Sequence, residues 1–274
     1  MLRKLMKHEL RASARLMLPL YLVVLLLSVG ARFSTAWLDT TPTLSPVLEK
    51  LLNLVSILVV MGFVVGLIAV FVVALVLMIQ RFRSNLLGDE GYVMFTLPVS
   101  PHQLVWSKLL ISTLWFAGAA IVDTLALLIL VVDQSFFRNL QEILQRVMED
   151  FNSYYAAHGV LVAVELILLC VVAAINLCLE FYTPLSIGHS FDRHKMLLSV
   201  VFFFVIQIAS QMVGGILLFA STPTLSAANH FMNTQPPEMA LHAALWFSIL
   251  VSVVYSAVLY VINHQMLSKT LNLE

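Results

Sequence analysis

The chain has 274 residues, with 15 Lys and Arg against 15 Asp and Glu, so its formal net charge is zero. Hydrophobic residues make up 61% and charged residues 11%, against roughly 25% charged in a soluble domain, and mean hydropathy is +0.96. A soluble exterior needs more polar residues than this, which excludes a soluble globular enzyme, a disordered chain and a coiled coil, and the neutral charge leaves no nucleic-acid footprint.

What remains is an all-α integral membrane protein. A β-barrel would alternate over about ten residues per strand, whereas these apolar runs are continuous. A span needs about 20 mostly apolar residues. Six stretches qualify: Leu16–Phe33, Leu51–Ile79, Leu109–Val132, Val160–Leu179, Leu198–Ala220 and Leu241–Ile262. They form one six-helix membrane domain over 1–274, with no internal repeat and no low-complexity tract.

Residues 1–15 come first. Lys4, Lys7, Arg11 and Arg15 fall on one helical face and Leu2, Leu5, Met6 and Leu10 opposite. A basic amphipathic helix of this kind is expected to lie in the headgroup plane. Glu9 interrupts the apolar arc; it either snorkels to water or pairs with a basic group. The first apolar run carries Val29-Gly30-Ala31, which could serve signal-peptide cleavage, but its long polar lead-in and the five later spans favour a retained helix.

The second span contains Gly62-x-x-x-Gly66, a spacing that lets helices approach closely. The hairpin 80–108 follows. Asp123 lies in the third span, and residues 133–159 show apolar residues at helical spacing, read as a surface helix or as a lid. Glu165 and Glu180 lie in or at the end of the fourth span; Glu180 is expected near the end and solvated. Asp123 and Glu165 are either a negative site for a cationic substrate or acids satisfied locally, Asp123 by Thr124 for example. Cys170 and Cys178 sit about 12 Å apart along one helix, too far for a disulfide. The fifth span carries Ser210-x-x-x-Gly214. Both small-residue pairs serve packing within the chain or a seam with a second copy.

Lys and Arg set the orientation. Arg3, Lys4, Lys7, Arg11, Arg15, Arg81, Arg83, Lys108, Arg193, Lys195 and Lys269 fall in one set of segments; Arg32, Lys50, Arg138 and Arg146 fall in the other. Eleven against four puts both termini, the 80–108 hairpin and the 188–197 loop in the cytoplasm.

Catalytic signatures are absent: no Walker A loop, no His-Glu-x-x-His pair, no Gly-x-Ser-x-Gly elbow and no Cys-x-x-Cys. The eight histidines are scattered without metal-ligand spacing. Energy-dependent work would therefore draw on another chain.

The 80–108 hairpin is apolar for a cytoplasmic element, and such elements usually mark a protein contact. Ser100 is placed to cap a helix starting at Pro101. The run Asn85-Leu86-Leu87-Gly88-Asp89-Glu90-Gly91-Tyr92-x-Met94-Phe95-Thr96-Leu97-Pro98-Val99-Ser100 resembles the cytoplasmic hairpin of ABC-2 type transporter permeases, closest to those of Gram-positive gut bacteria. The segments Leu5 to Leu16 and Ser186 to Lys195 resemble the same group.

The resemblance implies six spanning helices, an amphipathic N-terminal helix and a coupling helix that docks on an ATPase. It implies an exporter of the bacterial cytoplasmic membrane, built from two permeases and two ATP-binding subunits. ATP and Mg would be bound by the partner ATPase, with no cofactor on this chain. By position, Leu86, Leu87, Gly88, Asp89, Glu90, Gly91, Tyr92 and Phe95 would form the docking segment, with Asp192 and Arg193 adding a smaller contact. Gly62, Gly66, Ser210 and Gly214 would lie at the seam or cavity wall, with Asp123 and Glu165 as candidate cavity residues. A stand-alone secondary transporter, which should show inverted repeats and broken helices, and an intramembrane enzyme are the alternatives.

Overall fold

The computed structural model of the protein describes residues 2–40, 46–88, 90–96, 99–131, 159–191, 193–220 and 237–270. These form helix α1 (Leu2–Thr40), α2 (Pro46–Phe82), a π-helical turn (Arg83–Leu87), α3 (Glu90–Thr96), α4 (Pro101–Val131), α5 (Gly159–Gly188), α6 (Lys195–Ala220), α7 (Pro237–Gln265) and a second π-helical turn (Met266–Thr270). Among the described residues there is no strand. Helices are what a lipid-facing chain must form, because only they satisfy every backbone donor and acceptor within one segment. Among the described residues six helices, all but the short α3, are long and apolar enough to cross a membrane.

The helices exceed the apolar runs that announce them. α1 runs 39 residues, or about 58 Å, roughly twice the hydrocarbon thickness. The basic lead-in is therefore the first turns of the spanning helix, and no separate in-plane helix forms. Nothing in Leu2–Leu18 breaks a helix, and Pro19 sits inside α1 without ending it.

Polarity is arranged inside out. Val65, Ile68, Ile208 and Phe247 are more than half exposed, while Ser13, Ser28, Ser56, Thr183, Ser186 and Asn263 are buried. Such apolar exteriors would aggregate in water and suit a multi-pass membrane protein.

The chain divides into two compact units, one from Met1–Met78 with Leu110–Leu144, the other from Ile79–Leu109 with Gln145–Glu274. The division falls within α2 and within α4.

In the first unit, α1 buries Glu9, Ser13, Met17, Tyr21, Val24, Ser28 and Ala31, a stripe at three- and four-residue spacing. Part of that stripe meets α4. The Tyr21 hydroxyl donates to the Trp115 carbonyl at 2.7 Å, and the Trp115 indole donates to Ser13 Oγ at 2.8 Å. Gly118 leaves room for the Tyr21 ring, whose hydroxyl would stand 3.1 Å from a Cβ there. Another part meets α2, where a Cβ on Gly66 would touch Val24 and Leu27 at 3.4 Å.

In the second unit, α5 and α7 share a long polar seam. Asn176 donates to the Ser252 carbonyl at 3.3 Å, and Ser256 donates to Asn176. Thr183 donates to the Leu259 carbonyl at 3.2 Å, and Ser186 donates to the Asn263 side chain at 3.0 Å. These pairs keep a nearly constant sequence offset, so the two helices run parallel. α6 returns antiparallel after a six-residue connection (189–194). The turn is closed by His194, in the left-handed region at φ 56°, whose carbonyl accepts the first bond of α6 from Leu198 at 3.0 Å.

Candidate functional site

The parallel course of α5 and α7 brings four segments to one end of the second unit. These are the end of α2 with its π-helical turn, the start of α4, the 189–194 connection and the end of α7. The Phe82 and Tyr182 rings stack at 3.9 Å and 9°, both almost wholly buried. His102 Nδ1 lies 2.7 Å from the Tyr260 hydroxyl, and the His102 and His264 rings stack at 3.8 Å. Ser190 reaches Met266 Sδ at 3.7 Å.

The hairpin is built locally. With its amide suitably oriented, Asn85 donates to the Arg81 carbonyl at 2.9 Å and accepts from buried Lys108 at 3.2 Å. That ties the π-helical turn to both α2 and α4. Gly88 is extended at φ −102° and ψ −167°. Its glycine is needed for proximity, since a Cβ would meet the Ser84 carbonyl oxygen at 3.0 Å. Gly91 donates back to the Gly88 carbonyl at 2.8 Å as α3 begins. Ser100 accepts from the Gln103 amide through its carbonyl at 2.9 Å and its hydroxyl at 3.4 Å. This is the cap the Ser100-Pro101 pair announces. A cleft of about 500 Å³ opens here, lined by Gln80, Arg83, Ser84, Gly88 and Glu90.

The expected anchors divide by exposure. Leu86 and Leu87 are buried, 0% and 6% exposed, so their side chains hold the hairpin onto the protein and are not offered outward. Tyr92, 50% exposed, and Val93, 66% exposed, are offered beside exposed Glu90. Gly91 is buried and Arg193 exposed. Asp89, Asp192 and the Phe95 side chain lie outside the described residues, as do residues 132–158, where the amphipathic outer segment was expected.

The membrane acids are placed as follows. Glu165 is buried and accepts from His242 at 2.8 Å, a pair between α5 and α7. Asp123 is buried in the first unit, and among the described residues its Oδ1 meets no hydrogen-bond partner. Thr124, the expected neighbour, bonds the Ala120 carbonyl at 2.7 Å instead. The two acids belong to different units. Glu180, expected near the helix end, lies in α5 ahead of Gly188; it is half-buried and accepts from Gln207 at 3.2 Å. Glu9 is buried, 8% exposed, and does not snorkel. Gly62 and Gly214 have no atom within 4 Å of a Cβ position, so neither is a packing contact among the described residues. Ser210 donates to the Gln207 carbonyl at 2.9 Å.

His189 directly follows the end of α5. It is buried, with Nδ1 2.9 Å from the Leu185 carbonyl. Burial, with a smaller contribution from the Arg83 and Lys195 charges, holds its pKa below the ordinary value, while the Leu185 bond acts the other way. A histidine with a lowered folded pKa takes up its proton more readily when unfolded, so stability falls as pH drops through the unfolded value near ~6.5. The wild-type melting temperature is therefore expected to fall between pH 7.5 and pH 5.5, and to fall less in His189→Gln. Equal slopes in melts of the two purified proteins would remove His189 as the cause.

No family model matches this chain, and neither a curated protein nor a solved structure matches it.

Proposed function

We propose that this chain is the membrane-spanning permease subunit of an ATP-binding cassette exporter, working as a dimer and coupled to separate ATP-binding subunits. One observation carries the reading. The short helix α3 stands at the polar end of the second unit with Tyr92 and Val93 exposed beside Glu90, in the segment whose sequence resembles the coupling hairpin of ABC-2 permeases. An exposed aromatic beside a charge is what a docking protein would bury. In this reading ATP hydrolysis belongs to the partner, in keeping with a sequence that carries no Walker A loop. Gly62 and Gly214, open among the described residues, suit a second permease.

The deciding experiment is purification of the tagged chain from its native membrane in mild detergent. Co-purification of a Walker A subunit, with vanadate-sensitive ATP hydrolysis in the complex, is the expected result. A chain that purifies alone and transports in response to an ion gradient would replace this reading with a secondary transporter. Release of a chemically altered product would replace it with an intramembrane enzyme.

Orientation has its own test. The reading puts the hairpin in the cytoplasm. Ser100→Cys, in a background without Cys170 and Cys178, is expected to resist an impermeant thiol reagent in intact cells and to react after permeabilisation. Labelling in intact cells would invert the topology.

A further inference from the structure

The apolar run of α2 ends at Ile79, and the chain turns polar at Gln80, Arg81, Arg83 and Ser84. Ile68, Val72, Val76 and Gln80 fall on one face of α2 at four-residue spacing, and all four are exposed. Arg83 and Ser84, three and four residues beyond Gln80, are exposed as well. A lipid chain lying against Val72 and Val76 would therefore end with its headgroup beside Gln80, Arg83 and Ser84. Those three residues, with Gly88 and Glu90, line the cleft of about 500 Å³, a size within the ~300–1,000 Å³ of small-molecule sites.

Two opposite charges line this cleft without joining. Among the described residues, neither the Arg83 nor the Glu90 side chain forms an ion pair or a hydrogen bond, with the other or with a third group. The Arg83 side is positive from two elements, since the charges of Arg83 and of Lys195 at the start of α6 both act on His189. A guanidinium fork matches two oxygens of a phosphate, and the Ser84 hydroxyl and Gln80 amide can donate to the others. Glu90 does the reverse, repelling a phosphate and attracting an ammonium. A plain anion thus fits half of the lining, whereas a molecule with a phosphate and an ammonium a short link apart fits both halves. A primary ammonium also donates hydrogen bonds to a carboxylate, which a quaternary one cannot.

We infer that this cleft binds the zwitterionic headgroup of an aminophospholipid, its phosphate on Arg83, Ser84 and Gln80 and its primary ammonium on Glu90. Basic residues just beyond a spanning helix are where phospholipid headgroups gather, and the exposed apolar face of α2 leads to this one. The site goes beyond the permease reading and needs no ATPase. Tyr92 and Val93 are not among the described lining residues, so those two anchors stay open with a headgroup in place. Glu90 is shared: a bound headgroup occupies the carboxylate that docking would use.

The test is native mass spectrometry of the purified chain with equal amounts of phosphatidylethanolamine, phosphatidylcholine and phosphatidylglycerol, all with the same acyl chains. The wild type is expected to retain phosphatidylethanolamine ~5-fold or more over either competitor, as each lacks one charge-assisted contact. Arg83→Ala should lower its retention by ~10-fold, through loss of the phosphate contact. Glu90→Gln should bring it down to the level of phosphatidylglycerol, and Glu49→Gln at the start of α2 should match wild type. Phosphoethanolamine, the same headgroup without chains, should displace the lipid only at ~10-fold higher concentration or more, because it leaves the apolar face of α2 unused. Displacement at equal concentration would make the soluble amine the ligand and overturn the lipid site. Equal retention of the three lipids by the wild type overturns it too, and leaves the cleft to the side chains of a docked protein. So does unchanged retention of phosphatidylethanolamine in both Arg83→Ala and Glu90→Gln. Both side chains are exposed, so both variants are expected to fold; if melting shows that one does not, the other decides alone. Loss of the permease reading would show separately, as a chain that keeps this lipid preference yet recruits no ATPase.

Discussion

Tyr92→Ala is expected to leave a folded, membrane-inserted protein that no longer holds the ATPase proposed as its partner. The Tyr92 ring is 50% exposed on a helix of seven residues, next to Val93 at 66%. Little of either side chain is used in folding the chain, so truncating them should cost little stability. In a docked complex the same side chains would be buried anchors. Truncating such an anchor costs on the order of 1–4 kcal/mol of binding, or about 5- to 1,000-fold in affinity. Glu90→Ala should act in the same direction, because removing it would strand a buried cation on the partner. Pull-down of the ATPase and transport are both measured for each variant, with Glu49→Ala as the control. Wild-type pull-down and wild-type transport in both hairpin variants would remove the hairpin from coupling. Leu86→Ala is expected to differ in kind. That side chain is wholly buried, so its loss should first lower stability, by the ~2–5 kcal/mol typical of core truncations, and the melting temperature with it.

Gly188→Val should lower stability more than any surface change in the same segment. A Cβ at Gly188 would stand 2.7 Å from Ser199 Cα and 2.5 Å from Ser199 N. Those are backbone atoms, so no rotamer change relieves the overlap. The end of α5 and the start of α6 would have to separate. Overpacking in a well-packed interior costs ~1–3 kcal/mol, and a clash with backbone belongs at or above the top of that range. The separation would also disturb His189, which follows directly, and Ser186, which bonds Asn263 across the seam. Gly188→Ala should show a smaller loss of the same kind. Melts in detergent with a size-exclusion profile for each variant provide the check. Wild-type melting in both would mean that the helices can part here without cost.

The hairpin itself was largely legible as sequence. Ser100-Pro101 names its own cap, and the run of glycines, acids and aromatics after Asn85 stands out against the spans. Its inward and outward sides were not legible. Leu86, Leu87 and Tyr92 all read as anchors, and only packing assigns the leucines to the protein and the tyrosine to the exterior. The acids divide in the same way. Position along an apolar run marks Asp123, Glu165 and Glu180 as unusual, but partners such as His242 and Gln207 lie 77 and 27 residues away. One signal was available: Asn176 and Thr183 stand seven residues apart within the apolar α5, with Ser190 seven further on just past its end, and Ser256 and Asn263 keep the same spacing in α7. Polar residues so spaced mark a helix–helix seam.

The sequence by itself determined that six helices are long and apolar enough to span a membrane, because bilayer thickness fixes the length of an apolar run and the backbone must bond within each segment. It also determined where α4 begins, because a cap is made by neighbours in the chain. Only the tertiary structure decided that α5 and α7 run side by side and parallel, that the lead-in belongs to one continuous α1, and that Glu180 meets Gln207. Lipid tails are as apolar as the helices, so hydrophobicity does not choose which helix packs on which. That choice rests on small residues such as Gly188 and on single polar pairs, and these have meaning only once distant segments are in contact.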